Sequence, residues 1–368
     1  MTRALVVGGT GPTGIPLVRG LVERGFEVSI LHRGLHERAE TPANVVHLHH
    51  DPYDADDLAA VFDAHTFDVV VAMYGRLRAI AQQAEGKCAQ FVSVGGVPAY
   101  RGWMNPFLDE RLALPIPVTE DAPTTGPNDG DEKGYRIVRT EAAVFAHHPT
   151  AAHFRYPYVY GPYQLAPREW LIVKRVLDGR ERIVVADEGL TLHHHGYTEN
   201  LAHALLLAID RPDAAAGKIF NCGDEEVLSI RQVIELVAAA LDHELEIVSL
   251  PYELAVPARP LLTQPSPTHR VLDLTRVRHD LGYHDLVPAR HALAHTARWL
   301  AEHPCEPGGM EEMVLTDPFD YAAEDALIAS WHAARAKVAL PRFDVEPGYG
   351  LAYSGPGGRA RTSAEFDA

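Results

Sequence analysis

The 368-residue chain has few cysteines, an excess of acidic over basic residues, and no long apolar run. Its three cysteines, Cys88, Cys222 and Cys305, lie far apart and form no C-x-x-C pair, so neither a disulfide framework nor a zinc module is expected. No apolar run approaches the roughly 18–20 residues that span a bilayer. The chain enters an apolar strand directly after Met-Thr-Arg, which leaves no room for a cleaved leader. We therefore expect a reduced, soluble, cytoplasmic protein.

The charge balance restricts the class of partner. Lysine and arginine together number 33 and the acidic residues 50, which gives a net charge of −17. Nucleic acid and anionic membranes are polyanions, so an acidic surface argues against both as the main partner. We expect a small-molecule substrate, no nucleic acid and no membrane. A small anionic ligand in a locally basic cleft remains compatible with this charge.

Short apolar runs alternate with helical stretches through the first half of the chain. Strands are predicted at 4–7, 27–31, 45–48, 68–73, 90–94 and 153–160, and helices at 15–24, 55–65 and 76–86. This alternation is typical of a parallel sheet covered by helices on both faces. The predicted fold class is α/β: a Rossmann-type doubly wound parallel sheet with a smaller mixed α/β substrate lobe and a helical C-terminal extension.

The domain boundaries follow from where this alternation stops. We predict a dinucleotide-binding domain over 1–162, with 197–223 returning to it, and a substrate lobe over 163–196 and 224–305. A helical extension follows at 306–346 and a flexible tail at 347–368, where glycine, proline and small polar residues accumulate. The proline-rich segment 97–131 is predicted to be a long loop, and loops of that length are usually functional.

The sharpest motif is the glycine-rich loop Gly8-Gly9-Thr10-Gly11-Pro12-Thr13-Gly14, between the first strand and the first helix. In that context the glycines permit a tight turn, the approach of backbone to a pyrophosphate, and close packing of helix on strand. The helix N-terminus adds free N–H groups and a positive dipole. The predicted cofactor-binding residues of this loop are Gly8, Thr10, Gly11, Pro12, Thr13 and Gly14.

The end of the second strand bears on which nicotinamide cofactor is bound. An acidic residue there would bind the adenosine ribose and select NAD, but the chain has Arg33 instead, which suits a 2′-phosphate. We therefore predict NADP(H), with NAD(H) as the alternative. Asp51, after the third strand, is a candidate acceptor for the adenine amino group, or else a local cap residue.

Several segments together resemble the extended short-chain dehydrogenase/reductase superfamily, close to its NAD-dependent epimerase/dehydratase group. Besides the glycine loop, the similarity is carried by PVTEDAP at 117–123, YRIVRTE at 135–141, RYPYVYGP at 155–162, YTENLA at 197–202 and FNCGD at 220–224. Similar proteins use a Tyr-x-x-x-Lys pair with a serine or threonine. The resemblance, with the additional C-terminal helix, favours a homodimer.

The resemblance implies three catalytic residues, each with a departure from the usual pattern. Tyr135 would exchange a proton with the substrate oxygen. Arg139 stands in place of the lysine and would stabilise a tyrosinate or hold the cofactor ribose, although it cannot deprotonate. Gly96 takes the usual serine position, so Ser93, earlier on the strand, is the candidate hydroxyl or else an ordinary strand residue.

Further candidates line the expected nicotinamide and substrate sites. Tyr156, Pro157 and Tyr158 follow the sixth strand at the edge where ligands bind such sheets, so they are predicted to lie beside the nicotinamide. Four bulky side chains are candidates for an apolar pocket, or for ordinary packing: Tyr74, Trp103, Met104 and Trp170.

A run of three histidines occupies 193–195. His193 stands where sugar-nucleotide enzymes of the group carry a diphosphate-binding arginine, and Arg168, Lys174, Arg175 and Arg182 lie nearby in sequence. In an extended segment only His193 and His195 would converge, with no carboxylate or cysteine placed to complete a site, so no metal is predicted. One of these imidazoles is a candidate substrate contact.

Three functions are consistent with these features. The leading prediction is an NADP(H)-dependent oxidoreductase that acts on a carbonyl or alcohol of a small organic substrate. The first alternative is an NAD-dependent nucleotide-sugar epimerase or dehydratase. The second alternative is a cofactor-binding scaffold or sensor with decayed catalysis, favoured by Arg139 and the missing serine.

Overall fold

The computed structural model describes residues 2–34, 37–73, 75–106, 114–262, 266–345 and 347–348, which fall into two compact units, Met1–Asp320 and Tyr321–Ala368. The strands of the first unit are β1 (Arg3–Val7), β2 (Glu27–His32), β3 (Val46–His49), β4 (Phe67–Met73), β5 (Cys88–Gly96), β6 (Ala152–Tyr156), β7 (Tyr158–Tyr160), β8 (Arg182–Ala186), β9 (His195–Tyr197), β10 (Lys218–Asn221) and β11 (Glu246–Leu250). Its helices are α1 (Gly14–Glu23), α2 (Ala55–Ala64), α3 (Leu77–Ala84), α4 (Glu132–His147), α5 (Trp170–Leu177), α6 (Thr198–Asp210), α7 (Pro212–Ala215), α8 (Ile230–Ala239), α9 (Arg259–Leu262), α10 (Thr275–Leu281), α11 (Ala289–Glu302) and α12 (Met310–Leu315). The second unit contains α13 (Tyr321–Arg335).

The described part of the chain builds one large parallel sheet and two small ones. The large sheet has seven strands in the order β3-β2-β1-β4-β5-β6-β10. The order reverses between β1 and β4, which is the point where doubly wound sheets bind ligands. β8 pairs with β11, and β7 pairs with β9, both in parallel. The predicted α/β fold class, a Rossmann-type sheet with additional small sheets and C-terminal helices, is confirmed.

Alternate residues of the central strands supply two hydrophobic cores, one on each face of the sheet. Ala4 and Val6 of β1 point into a core formed with α1 and α6, whereas Leu5 and Val7 point into a second core formed with α2 and α3. Because both faces are covered, the strands read as continuous apolar runs in the sequence.

Two differences from the predicted elements have local causes. Residues 153–160, predicted as one strand, form β6 and β7, because Pro157 between them has no N–H for a continuous ladder. The short helices α7 and α10 were not predicted, since four and seven residues are too few to display a full apolar period. The predicted flexible tail lies outside the described residues except for Pro347 and Gly348.

Among the described residues, no helix combines the length and the hydropathy that a bilayer crossing requires.

Candidate functional site

The glycine loop forms a tight connection between β1 and α1. Gly8 has a φ of +94°, a backbone conformation that favours glycine, and the N–H of Gly11 donates to the carbonyl of Gly8 at 3.1 Å. A Cβ atom on Gly14 would lie 2.4 Å from that same carbonyl oxygen, so only glycine fits. The loop therefore holds the helix close to the strand, as cofactor-binding loops of this type do.

The first turn of α1 is open toward the loop. The residue at its N-cap, Thr13, is buried, and its side chain makes no cap hydrogen bond. Thr10, Gly11 and Pro12 are partly exposed beside it. The N–H of Ile15 donates to the carbonyl of Gly11 at 3.2 Å and Pro16 has no N–H, so an anionic ligand would be bound by the N–H groups that precede Ile15. These residues fit the pyrophosphate of a dinucleotide.

Two arginines flank one tyrosine at the carboxyl edge of the sheet. The guanidinium carbon of Arg33 lies 5.9 Å from the centre of the Tyr53 ring, and that of Arg76 lies 5.5 Å from the same ring. All three side chains are exposed. Arg76 was missed by the sequence reasoning, although its position directly after β4 places it at the same edge as Arg33. Together the two arginines offer positive charge where the adenosine end of a dinucleotide is expected.

Asp51 takes part in a local turn. Its Oδ1 accepts the N–H of Tyr53 at 2.9 Å, and its own N–H donates to Asp57. The N-cap of α2 is Asp54, which accepts the N–H groups of residues 56 and 57. Contact between Asp51 and adenine stays a prediction.

Tyr135 and Arg139 lie on adjacent turns of α4. The Arg139 guanidinium carbon is 5.9 Å from the centre of the Tyr135 ring; Tyr135 is half-buried and Arg139 is exposed. Asp131 caps the helix by accepting the N–H of Gly134 at 2.8 Å. A Cβ on Gly134 would lie 2.6 Å from the carbonyl oxygen of Pro98, so this first turn packs tightly against the segment that follows β5.

Ser93 lies inside the protein. It is 0% exposed, and its hydroxyl is 2.8 Å from Nδ1 of His153. The other ring nitrogen of His153 lies 3.4 Å from Glu141, whose carboxylate accepts two hydrogen bonds from Arg155 at 2.8 and 2.7 Å. Although burial opposes it, the hydrogen bonds from Arg155 and the nearby His153 ring lower the pKa of Glu141 to about 2. A substrate contact by Ser93 stays a prediction.

This buried network connects β5 and β6 with α4, the helix that carries Tyr135. Gly96, at the end of β5, is also buried and takes the place expected for the catalytic serine. The sequence reasoning missed His153, Glu141 and Arg155. The available signal was that two of them, His153 and Arg155, are polar residues within a predicted buried strand.

The segment after β6 contains two tyrosines with different surroundings. Tyr156 is 1% exposed, and its hydroxyl donates to the carbonyl of Leu201 at 3.4 Å. The Tyr158 hydroxyl donates to the Ala166 carbonyl and accepts the N–H of Arg168 at 2.7 Å. Burial raises the pKa of Tyr158. Pro157, between them, is buried. Contact of these three residues with the nicotinamide stays a prediction.

Two buried arginines converge on His193. Nη1 of Arg168 donates to Nδ1 of His193 at 3.0 Å, and Nη1 of Arg270 lies 3.5 Å from its Nε2. Arg168 is 2% exposed, His193 3% and Arg270 5%. Within the described residues, neither Nη2 atom of the two arginines has a hydrogen-bond partner. Burial and the two guanidinium groups lower the pKa of His193 well below its usual value.

One carboxyl group lies next to these cations in sequence. Glu169 is 1% exposed, and its two carboxylate oxygens make no hydrogen bond within the described residues. Burial raises its pKa, opposed by Arg168. Burial also lowers the pKa of Arg270 to about 10. The surroundings of His193 are therefore buried and polar, and they contain more basic than acidic side chains.

The other predicted members of this region have separate roles. His194 is buried between the carbonyl of Asp224 and the N–H of Leu272, and burial lowers its pKa to about 4. The His195 ring packs edge-on against Tyr158 and Tyr160. The other three basic residues that lie near His193 in sequence each form an ion pair with a carboxylate: Lys174 with Asp178, Arg175 with Asp317, and Arg182 with Glu246.

The predicted apolar pocket is assembled only in part. Trp103 and Arg270 line a small cleft together with Gly102, Leu114, Val118, Thr268 and His269. Met104 packs on the apolar cluster beneath this loop, whereas Trp170 is buried and donates to Glu312 at 3.1 Å. Tyr74 lies outside the described residues.

The sequence was compared with those of known proteins. No family model matches it. It is 24% identical over 254 residues to the chloroplast stem-loop binding protein of 41 kDa b of Arabidopsis thaliana, which covers 65% of this chain and 63% of that protein. It is also 26% identical over 140 residues to the uncharacterized protein YbjS of Escherichia coli, covering 33% of this chain and 42% of that one. The chain thus spans less than two thirds of either relative.

The structure was compared with solved structures. UDP-glucose 4-epimerase of Thermotoga maritima, determined with UDP-glucose, has a TM-score of 0.65 at 17% identity, over 82% of this chain and 99% of that one. UDP-glucuronic acid 4-epimerase of Bacillus cereus, determined with UDP-glucuronic acid and NAD, has a TM-score of 0.64 at 15% identity, over 82% and 100%. The chain therefore has the fold of the extended short-chain dehydrogenases and NAD-dependent epimerases.

Proposed function

We propose that the chain is an NADP(H)-dependent oxidoreductase of the short-chain dehydrogenase/reductase type, acting on a carbonyl or alcohol group of a small organic substrate. The glycine loop is the observation that carries this proposal. Gly14 has no space for a side chain, and the uncapped start of α1 faces the loop. That combination suits the backbone N–H groups to a pyrophosphate.

The choice of NADP(H) rests on the charges around Tyr53. Arg33 and Arg76 flank its ring and are exposed at the edge where the adenosine ribose is expected. A 2′-phosphate forms strong charge-assisted hydrogen bonds with guanidinium groups. NAD(H) lacks that phosphate, so it would gain less from this pair.

The catalytic roles fall to residues of α4. The nicotinamide, when bound, supplies or accepts the hydride. Tyr135 transfers the proton at the substrate oxygen, and the fixed positive charge of Arg139 favours the ionised phenol. Arg139 cannot itself relay a proton, because a guanidinium stays protonated in proteins.

Cofactor titration tests this proposal. NADPH and NADH are titrated calorimetrically into the purified protein and into the variants Arg33→Ala and Arg76→Ala. We expect NADPH to bind more tightly than NADH, and each variant to weaken NADPH by about tenfold or more while leaving NADH unchanged. Arg78→Ala, an exposed arginine on α3, is the matched control. The proposal is overturned if neither NADPH nor NADH binds.

The buried arginines beside His193 favour a second candidate, an NAD-dependent nucleotide-sugar epimerase or dehydratase. Arg168 and Arg270 each keep a guanidinium nitrogen without a partner in the described structure, and buried cations of this kind suit a diphosphate. Protein that purifies with bound NAD and is stabilised by UDP would favour this candidate over the first.

The third candidate is a scaffold or sensor with decayed catalysis, favoured by Gly96 in the place of a serine. It predicts cofactor binding with no turnover of any carbonyl compound. The name of the Arabidopsis relative suggests one more activity, binding of RNA stem-loops. The net charge of −17 argues against such binding here, because RNA is a polyanion.

A further inference from the structure

Three histidines and one glutamate meet at the edge of the large sheet. His32 ends β2, His47 and His49 lie on the edge strand β3, and Glu37 lies in the segment that follows β2. Parallel pairing places His32 opposite His49, and His47 two residues earlier on the same face. We call His32, Glu37, His47 and His49 the imidazole cluster. Each of its members offers one ligand atom, and these atoms all lie within 4.8 Å of one another.

The spacing of these atoms matches a metal coordination sphere. Nδ1 of His47 lies 3.7 Å from Oε1 of Glu37, and Nε2 of His49 lies 2.9 Å from the same oxygen. Zinc bonds of about 2.0–2.1 Å in a tetrahedron separate their ligand atoms by about 3.3 Å. These two distances fall on either side of that value, and the third pair, the ligand nitrogens of His47 and His49, lies within 4.8 Å, so side-chain shifts are needed to bring all three atoms onto one ion.

His32 is oriented for a different role in the cluster. Its Nδ1 accepts the N–H of Gly34 at 3.0 Å, so in the neutral ring the proton sits on Nε2. That Nε2 lies 2.9 Å from Nδ1 of His47 and is buried beside the other ligand atoms. His32 is therefore a hydrogen-bond donor toward the cluster. Without an ion its acceptor is Nδ1 of His47; an ion bound at that nitrogen would replace this bond and leave the His32 N–H to a ligand at the fourth position. Ring donors of this kind hold a metal-bound water or orient a ligand.

We propose that His47, His49 and Glu37 bind a divalent transition-metal ion of the zinc class, with His32 donating a hydrogen bond at the open fourth position. Two imidazoles and one carboxylate form a donor set that zinc uses when it keeps a site for water. Imidazole-rich sites also suit cobalt, nickel and copper, whereas magnesium and calcium prefer all-oxygen sites. The ion would join β3 to the segment after β2. The site does not depend on the proposed oxidoreductase activity.

Metal titration of the untagged full-length protein tests the proposal. After dialysis against EDTA and then chelator-free buffer, the protein is titrated with Zn²⁺ by calorimetry and with Co²⁺ by visible absorption. We expect one tight Zn²⁺ per chain and the absorption of four- or five-coordinate Co²⁺. Loss of a residue that only hydrogen-bonds a metal ligand typically weakens metal binding by roughly 10–100-fold, and His32→Phe is expected to fall within that range. His49→Ala and Glu37→Gln each remove a ligand and are expected to weaken Zn²⁺ binding by more than that.

The control separates this site from the many other histidines, which number 21. His279→Ala removes an exposed imidazole that is paired with a single carboxylate, Asp280, and is expected to leave Zn²⁺ binding unchanged. His49 and Glu37 are exposed, so their replacement should preserve the fold, as circular dichroism would verify. The proposal is overturned if the unaltered protein binds no Zn²⁺, or if His49→Ala and Glu37→Gln bind it as tightly as the unaltered protein does.

Discussion

Arg168 donates a hydrogen bond of 3.0 Å to Nδ1 of His193, and both side chains are almost completely buried. Arg270 adds a second guanidinium group, whose Nη1 lies 3.5 Å from Nε2 of the same ring. From the sequence, His193 is predicted to take the place of a diphosphate-binding arginine. Two cations lie against this imidazole, so the nucleotide-sugar alternative can be tested here.

The first prediction concerns this pair of arginines. If the nucleotide-sugar alternative is correct, Arg168→Gln is expected to weaken the binding of UDP, used as an anionic probe, by about tenfold or more, because hydrogen bonds to charged groups contribute about 1.5–3 kcal/mol. Calorimetric titration measures the affinity. Arg182→Gln, which removes an exposed arginine bonded to Glu246, is the control and should bind UDP like the unaltered protein. Equal affinities in all three proteins would mean that Arg168 has only a structural role.

The second prediction concerns Tyr135. Tyr135→Phe is expected to lower kcat by about 10²–10⁴-fold, the usual contribution of a positioned acid or base, while NADPH affinity stays the same. Turnover of a carbonyl panel is followed by NADPH absorbance, and affinity by calorimetry. Tyr252→Phe, which removes a phenol hydroxyl that follows β11, is the control. Unchanged turnover in Tyr135→Phe would remove the phenol from the mechanism.

A third prediction distinguishes decayed catalysis from an active enzyme. Gly96 has an extended backbone with a φ of −153°, which any residue adopts, and a Cβ there would lie 3.2 Å from the Pro98 ring. Serine should therefore fit with a small shift. If the scaffold alternative is correct, Gly96→Ser combined with Arg139→Lys is expected to raise carbonyl turnover above that of the unaltered protein. If the unaltered protein is an active oxidoreductase, the double variant should bring little gain.

The fold could be predicted from the sequence because its signals are local. β1 and β4 are continuous apolar runs since both faces of the sheet are covered, and the glycine loop is contiguous. The break at Pro157 is also a local signal, because proline lacks an N–H, although the sequence reasoning joined β6 and β7 into one strand. Short helices such as α10 leave too few positions for a period to be recognised.

The site was less predictable because its contacts join residues that are distant in sequence. Arg270 lies 77 positions after His193, and His153 lies 60 after Ser93. His32 and His47 come together only because β2 and β3 pair in one register. By contrast, the three consecutive histidines at 193–195 are conspicuous in the sequence, but in the structure each has different neighbours.

A further prediction addresses the buried network beneath α4. Glu141→Gln removes the charge that faces Arg155, and breaking a buried pair in this way costs about 3–5 kcal/mol. The pKa of Glu141 is about 2 in the folded protein, below its usual 4.5. Its carboxylate therefore contributes stability above about pH 4.5 that is lost as the pH falls toward 2. The free energy of unfolding from urea denaturation should differ between the two proteins at pH 7 and much less at pH 3.

The control for this network is Glu235→Gln, which removes an exposed carboxylate bonded to Arg231. An exposed pair of this kind contributes little, so the control should unfold within about 0.5 kcal/mol of the unaltered protein at both pH values. A loss in Glu141→Gln that is the same at pH 7 and pH 3 would contradict a charge-based role for Glu141.

The last prediction reverses this pH dependence at a second buried carboxyl. Burial raises the pKa of Asp224 to about 7 from a usual 3.8, despite hydrogen bonds from Tyr197, Asn200 and Tyr160. The folded state therefore holds this proton more tightly than the unfolded state, so stability falls as the pH rises from about 4 through 7. Asp224→Asn removes the titration. In this variant the side-chain oxygen would still accept hydrogen bonds from the N–H of Tyr197 and from Nδ2 of Asn200. The Tyr160 hydroxyl would donate instead to the carbonyl of Ala289, 3.5 Å away.

Urea denaturation at pH 5 and pH 8 checks this expectation. Asp224→Asn is expected to gain stability relative to the unaltered protein between pH 5 and pH 8, because only the unaltered protein must ionise a buried carboxyl in that interval. Residues that do not contact Asp224 contribute equally to both proteins, so the difference between the two reports on Asp224. Asp210→Asn, at an exposed carboxylate bonded to Arg24, should show a constant difference. A constant difference for Asp224→Asn as well would mean that the carboxyl is ionised in the folded protein at both pH values, because its three hydrogen-bond donors outweigh its burial.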